Sequence, residues 1–171
     1  LCRSLDAHSP RFVVADPVMI SSSGFPLTNL EAMKTVMPSL IRRISLLTPN
    51  IPEAQFLTGS DTTDASQLVR LMSERHPETS ILVKGGHSPE GVTDWLYDAK
   101  EKNFASFHGN RVETRNNHGT GCVLSSAIAA YTAKGLSLTE AVGKAKNFLQ
   151  QALEKGADYD AGKGHGGSFL L

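Results

Sequence analysis

Three short apolar runs, each stopped by a polar or glycine-rich turn and separated by segments of helical periodicity, restrict this chain to an alternating α/β architecture. The runs are Phe12-Val13-Val14-Ala15 before Asp16-Pro17, Ile44-Ser45-Leu46-Leu47 before Thr48-Pro49-Asn50, and Ile81-Leu82-Val83-Lys84 before Gly85-Gly86-His87. Short aliphatic stretches bounded by Pro, Asn or Gly read as buried strands. Between them, Leu30, Met33, Val36, Met37, Leu40 and Ile41 recur at helical spacing behind Asn29, a good N-cap. A short helix carrying Glu53 should end at Gly59, and Asp64 should cap a helix through about Arg75 with Leu68, Leu71 and Met72 on its apolar face. Strands alternating with helices predict a mostly parallel central sheet with helices on both faces.

From Val92 to Thr114 the pattern changes to short segments, Trp95 to Tyr97, Phe104 to Phe107 and Arg111 to Thr114, which predict antiparallel edge strands. Two helices close the chain. One runs from Cys122 to about Lys134; the other runs from Leu138 to about Lys155 with Ala141, Val142, Ala145, Phe148, Leu149 and Ala152 as one stripe. No internal repeat or interdomain linker interrupts this order, so residues 1–171 read as a single domain. Leu1 to Asp6 reads as the tail of a helix already under way, and the chain is expected to be part of a longer protein.

In an open parallel sheet, ligands bind beyond the carboxyl ends of the strands. Asp16, Asn50 with Glu53, and Lys84 with its two glycines all fall there. The stretch Asn117-His118-Gly119-Thr120-Gly121-Cys122 then opens onto an alanine-rich, proline-free run, and reads as a tight loop feeding a helix N-terminus. The first amides of a helix lack intrahelical acceptors, and the macrodipole adds roughly half a positive charge there. Such a corner stabilises a phosphate and would favour a thiolate on Cys122. It also has a plain reading, in which the glycines only turn the chain and Cys122 is a small buried hydrophobe.

Acidic and basic residues balance at 17 each, which removes the electrostatic argument for nucleic acid or a membrane surface as partner. Any phosphate recognition must be local. No apolar run approaches a membrane span. Cys2 and Cys122 lie far apart and do not suggest a disulfide framework, which favours a reducing, cytoplasmic setting. The histidines show no metal-ligand spacing with either cysteine, so zinc is not expected.

Phosphoryl transfer needs a cation on the phosphate oxygens, donors around the transferred group, and a means of activating the acceptor. Asp16 and Glu53 are hard oxygen ligands suited to Mg²⁺. Lys84 can reach a nucleotide phosphate as a point charge, and the amides of Gly119 to Cys122 can hold the transferring group. Each residue also has an ordinary role open to it: Asp16 as a turn starter, Glu53 as the complement of its helix N-terminus, Lys84 as a solvated lysine.

The segments Asp16-Pro17-Val18-Met19 with Ser21-Ser22-Ser23-Gly24, Thr48-Pro49-Asn50-Ile51-Pro52-Glu53-Ala54, Leu82-Val83-Lys84-Gly85-Gly86-His87, His118-Gly119-Thr120-Gly121-Cys122 and Gly162-Lys163-Gly164-His165-Gly166 resemble, in order and spacing, the hydroxymethylpyrimidine/phosphomethylpyrimidine kinases of thiamine biosynthesis. The resemblance covers nearly the whole chain. It implies a ribokinase-like α/β fold lacking its N-terminal strands, the chain forming the C-terminal two-thirds of the domain. It implies ATP- and Mg²⁺-dependent phosphorylation of 4-amino-5-hydroxymethyl-2-methylpyrimidine and then of its monophosphate, by a homodimer. By the same resemblance Cys122 is catalytic, Gly119, Thr120 and Gly121 form the anion hole, and Asp16 and Glu53 are the carboxylates on the Mg²⁺ and phosphate side. Asn50, Lys84 and Thr120 would lie near the nucleotide phosphates, with Val18 and Cys122 near the pyrimidine. Asn117 departs from the threonine such kinases carry, and the family's N-terminal region, with its Gly-rich start and the polar residues that read the pyrimidine ring, is not in the chain. A truncated noncatalytic nucleotide-binding domain, and a pyridoxal or pyridoxine kinase, are the alternatives.

Overall fold

Residue by residue, the sequence places an N-cap or glycine stop at most element boundaries, and the computed structural model, which describes residues 1–19, 27, 29–86, 92–114 and 119–157, uses them. Expectations for 21–24, His87, 117–118 and 162–166 lie outside the described residues. The opening turn of helix is α1 (Cys2–His8), and β1 (Val14–Ala15) follows. Helix α2 (Leu30–Ile41) starts where Asn29 Oδ1 accepts from the Glu31 and Ala32 amides. After β2 (Leu46–Leu47), Asn50 and Glu53 form a capping box at the head of α3 (Ile51–Thr58), and Gly59 stops it at φ 68°. Helix α4 (Ala65–Arg75) begins under the Asp64 cap and leads into β3 (Ser80–Val83).

The hairpin β4 (Val92–Asp98) and β5 (Asn103–Gly109) and the two closing helices, α5 (Thr120–Ala133) and α6 (Leu138–Gly156), complete the order. The sheet runs β1-β2-β3-β4-β5, parallel over the first three strands and antiparallel over the last two. Trp95 pairs with Val83, so β4 lies directly against the strand that delivers Lys84.

Alternation along each strand divides the core. Leu47, Ile81, Val83 and Tyr97 face α2, α3 and α4 with Met37, Ile41, Leu68 and Met72. Leu46, Leu82 and Leu96 face α5 and α6 with Leu124, Ile128, Ala141, Val142 and Ala145. No helix among the described residues is long and apolar enough to cross a membrane.

Three expectations differ from what is seen. Arg111 to Thr114 is not a strand: β5 is the sheet edge, and the chain leaves it so that the Thr114 hydroxyl donates to Ala157 O at 3.3 Å. Phe148, expected in the buried α6 stripe, is 40% exposed, and Lys146 occupies the buried position instead. On α2, Leu30 and Val36 belong to the helical pattern but stay exposed, because only the Met37 and Ile41 side of the helix meets the sheet.

Candidate active site

Asp16 stands one residue beyond β1 and Lys84 one residue beyond β3. The Lys84 ammonium donates to Asp16 Oδ1 at 2.6 Å, and the Thr48 hydroxyl donates to the same oxygen at 3.3 Å. Both members of the pair are largely buried. The sheet ladder carries on for one residue past the strands: the Lys84 amide donates to Pro49 O at 2.8 Å, and Asn50 bridges Lys84 in parallel. Asn50 is thereby fixed between β3 and α3. Its side chain accepts from the Glu53 amide at 2.9 Å, and its own amide donates to Glu53 Oε2 at 2.8 Å.

The glycine corner closes over this pair. Gly119 sits at φ 83°, ψ 1°, a conformation that favours glycine, and Val123 N–H donates to Gly119 O at 2.9 Å to close the first turn of α5. Helix geometry leaves the Thr120, Gly121 and Cys122 amides without intrahelical acceptors. A β-carbon on Gly121 would lie 2.9 Å from Asp16 Oδ2 and 3.2 Å from Lys84 Nζ. Bare backbone therefore passes directly over the ion pair, and a side chain at this position would push the Asp16 carboxylate and the Lys84 ammonium aside. Cys122 follows, exposed on the first turn. Val18 stands 42% exposed just past Asp16, with its amide donating to Asp16 O at 2.9 Å.

Glu53 is 6% exposed. Burial pushes its carboxyl above the ordinary range; the Asn50 amide, the Lys84 charge and the Met19 amide pull it back, while the Asp16 charge pushes it further up. The folded chain thus holds the Glu53 proton more tightly than the unfolded chain. That contribution to stability is complete below the unfolded value and is lost as pH rises through the raised one. Glu53→Gln keeps an acceptor for the Asn50 amide and removes the buried charge. Its unfolding free energy should match or exceed that of wild type at about pH 8, by about 1 kcal/mol, with the gap closing towards about pH 4. Chemical denaturation at the two pH values measures this, and a loss of stability at the higher one would show the ionised carboxylate to be net stabilising.

The sequence-expected residues Asp16, Asn50, Glu53, Lys84 and Gly121 therefore converge at the carboxyl ends of β1 to β3, with Gly119, Thr120 and Cys122 on the covering turn and Val18 at its margin. A separate cleft of about 120 Å³, lined by Met37, Phe56, Met72 and Arg75 among others, includes none of these residues. Sequence reasoning missed Thr48 and a buried pair behind Lys84, Asp94 and Lys146, with Nζ to Oδ2 at 2.6 Å. The clue to Asp94 was its alternation with Leu96 on the buried face of β4, and the clue to Lys146 was its place beside Val142 and Ala145 on the apolar side of α6.

Parallel strands end in one crevice, under a glycine helix corner that covers a lysine–carboxylate pair, and the fold is that of the ribokinase-like α/β class. Within that class, the family model described as phosphomethylpyrimidine kinase matches residues 1–168, and the chain belongs to this family. It is 37% identical over 175 residues to the hydroxymethylpyrimidine/phosphomethylpyrimidine kinase of Bacillus subtilis, covering 97% of this chain and 61% of that protein. A crystal structure of phosphomethylpyrimidine kinase from Clostridium difficile superposes with a TM-score of 0.72 at 33% identity, covering 89% of this chain and 62% of that one. Pyridoxal kinase from Staphylococcus aureus, solved in complex with AMP-PCP and pyridoxal, shares the fold at 24% identity and a TM-score of 0.83, over 99% of this chain and 61% of that one. The chain spans about three fifths of the length of these relatives.

Proposed function

We propose that this chain belongs to an ATP-dependent kinase that phosphorylates 4-amino-5-hydroxymethyl-2-methylpyrimidine and then its monophosphate, and that residues 1–171 form part of a single kinase domain. The observation that carries this reading is the passage of the Gly121 backbone over the Asp16–Lys84 pair, in a chain of the phosphomethylpyrimidine kinase family. The amides of Thr120, Gly121 and Cys122 provide donors for the transferring phosphoryl group, and Lys84 contacts the nucleotide phosphates beside Asn50. Asp16, with the oxygen that faces Gly121, and Glu53 are the carboxylates that would hold Mg²⁺, which would supply neutralisation of the phosphate charge. Val18 and Cys122 border the acceptor. A homodimer and a cytoplasmic setting complete the reading, the second supported by two free thiols.

The pyridoxal kinase alternative rests on fold likeness at lower identity, against 37% for the pyrimidine kinase relative. Turnover with ATP and either the hydroxymethylpyrimidine or pyridoxal separates the two. The pyrimidine should be phosphorylated at least about 10-fold more efficiently, which is about 1.4 kcal/mol of discrimination, and preference for pyridoxal would overturn the reading. A noncatalytic role predicts no turnover of either.

Cys122 has a more specific role in this reading. The first acceptor is an alcohol that must lose a proton, whereas the second is a phosphate already ionised at neutral pH, its second pKa being about 6. Cys122→Ala should slow the first phosphorylation by about 100-fold and the second by less than about 10-fold. Quench-flow measurement of the two steps decides, and equal losses would remove Cys122 as the base.

A further inference from the structure

Behind Lys84 the sheet holds a charged pair for which the site described above has no use. Asp94 on β4 and Lys146 on α6 are almost fully buried, with side chains 6% and 9% exposed. Among the described residues, the pair bonds to backbone groups and to itself. Asp94 Oδ1 accepts from the Gly85 amide at 2.9 Å, and Lys146 Nζ donates to Asp94 Oδ2 at 2.6 Å and to Val92 O at 3.2 Å. Gly85 lets its turn lie against the β4 backbone, and Gly109 leaves room for the Lys146 side chain. A β-carbon on Gly85 would lie 2.0 Å from Thr93 O, and one on Gly109 would lie 3.0 Å from Lys146 Cε.

A buried pair of this kind adds little stability over an apolar pair of the same shape, because both charges must be desolvated. Its geometry, by contrast, is specific. Gly85 is the residue immediately after Lys84, and the turn leaves β3 where ladder hydrogen bonds end. On its other side the Lys84 backbone is held by Pro49 O. Without Asp94 the Gly85 amide would lose its acceptor on β4, and beyond β3 the Lys84 backbone would be held from the Pro49–Asn50 side alone.

We propose that Asp94, its charge balanced by Lys146, is a positioning residue: a buried acceptor on β4 that clamps the Gly85 amide, sets the Lys84 ammonium against Asp16 and the glycine corner, and so governs nucleotide phosphate binding. The proposal rests on the kinase reading for its consequence and on the sheet geometry for the clamp.

Two double variants test it in the full-length protein, each chosen to leave no buried charge unpaired. D94N/K146M keeps a carbonyl oxygen for the Gly85 amide; D94L/K146M removes it. Amide hydrogen exchange should show the Gly85 amide slow in wild type and in D94N/K146M, and at least about 10-fold faster in D94L/K146M, with the Leu82 and Leu96 amides unchanged in all three. The KM for ATP should rise at least about 10-fold in D94L/K146M while the KM for the acceptor stays within about 2-fold of wild type, and D94N/K146M should restore the ATP value. Fast exchange at Gly85 in wild type overturns the clamp without recourse to any variant, so the test survives if D94L/K146M does not fold. Released Gly85 exchange with an unchanged KM for ATP overturns its role in phosphate binding. A wild-type protein with no affinity for nucleotide counts against the kinase reading instead, and the exchange pattern still decides the clamp.

Discussion

Replacing Gly121 with alanine should lower phosphoryl transfer by at least about 100-fold while leaving the melting temperature within a few degrees of wild type. Local helix energetics oppose a loss of stability: Gly121 lies in the first turn of α5, where alanine is favoured over glycine by up to about 1 kcal/mol. The new methyl group meets not backbone but the ends of two side chains, at 2.9 Å from Asp16 Oδ2 and 3.2 Å from Lys84 Nζ. Those ends can move aside, so the chain still folds. Moving them displaces the carboxylate and the ammonium from beneath the corner, and displacements well under an ångström matter where oriented charges act on a reacting group. Steady-state kinetics beside a thermal melt give the answer. Near-wild-type turnover in Gly121→Ala would mean that chemistry does not take place under this corner.

Replacing Lys84 with methionine should have the second largest effect, and a different signature. Methionine keeps a comparable stem and removes the ammonium. A charge-assisted hydrogen bond to phosphate contributes about 1.5–3 kcal/mol, so the KM for ATP should rise by roughly 10- to 100-fold. At the same time Asp16 loses its 2.6 Å partner, and Asp16 and the buried Glu53 are left without the cation whose charge acts on both. Stability at neutral pH should fall by about 1–3 kcal/mol, less than for a fully buried pair because Thr48 still donates to Asp16. If Lys84 were only the structural counter-ion of Asp16, the melting temperature would drop and the KM for ATP would hold. Gly121→Ala and Lys84→Met thus separate the geometry of the pair from its charge.

Much of this arrangement is legible in the sequence because it is local. Asn29, Asn50 and Asp64 are caps whose side chains bond two or three residues ahead, and Gly59 and Gly119 stop or open helices through their own positive φ. Strand ends are marked by adjacent prolines and glycines, so the placement of Asp16, Asn50 and Lys84 along one rim follows from parallel topology. What the sequence conceals is long-range. Lys146 meets Asp94 across 52 residues, and Lys84 meets Asp16 across 68. No periodicity encodes either encounter, and the fold supplies both. The same limit explains the helix faces: spacing identifies an apolar stripe on α2 and α6, but the neighbouring element decides whether Val36 or Phe148 is covered. Arg111 to Thr114 carries strand-like residues, yet the sheet ends at β5 and the chain turns to meet Ala157.

The position of Trp95 has an optical consequence. It is the only tryptophan of the chain, sits half-buried on β4 opposite Val83, and is the immediate neighbour of Asp94. Its intrinsic fluorescence is therefore a label-free probe placed one strand away from the Lys84 turn. Emission that shifts when nucleotide is added, and fails to shift once the Gly85 amide has been released, would allow events at the strand ends to be followed in a stopped-flow cuvette without any chemical modification.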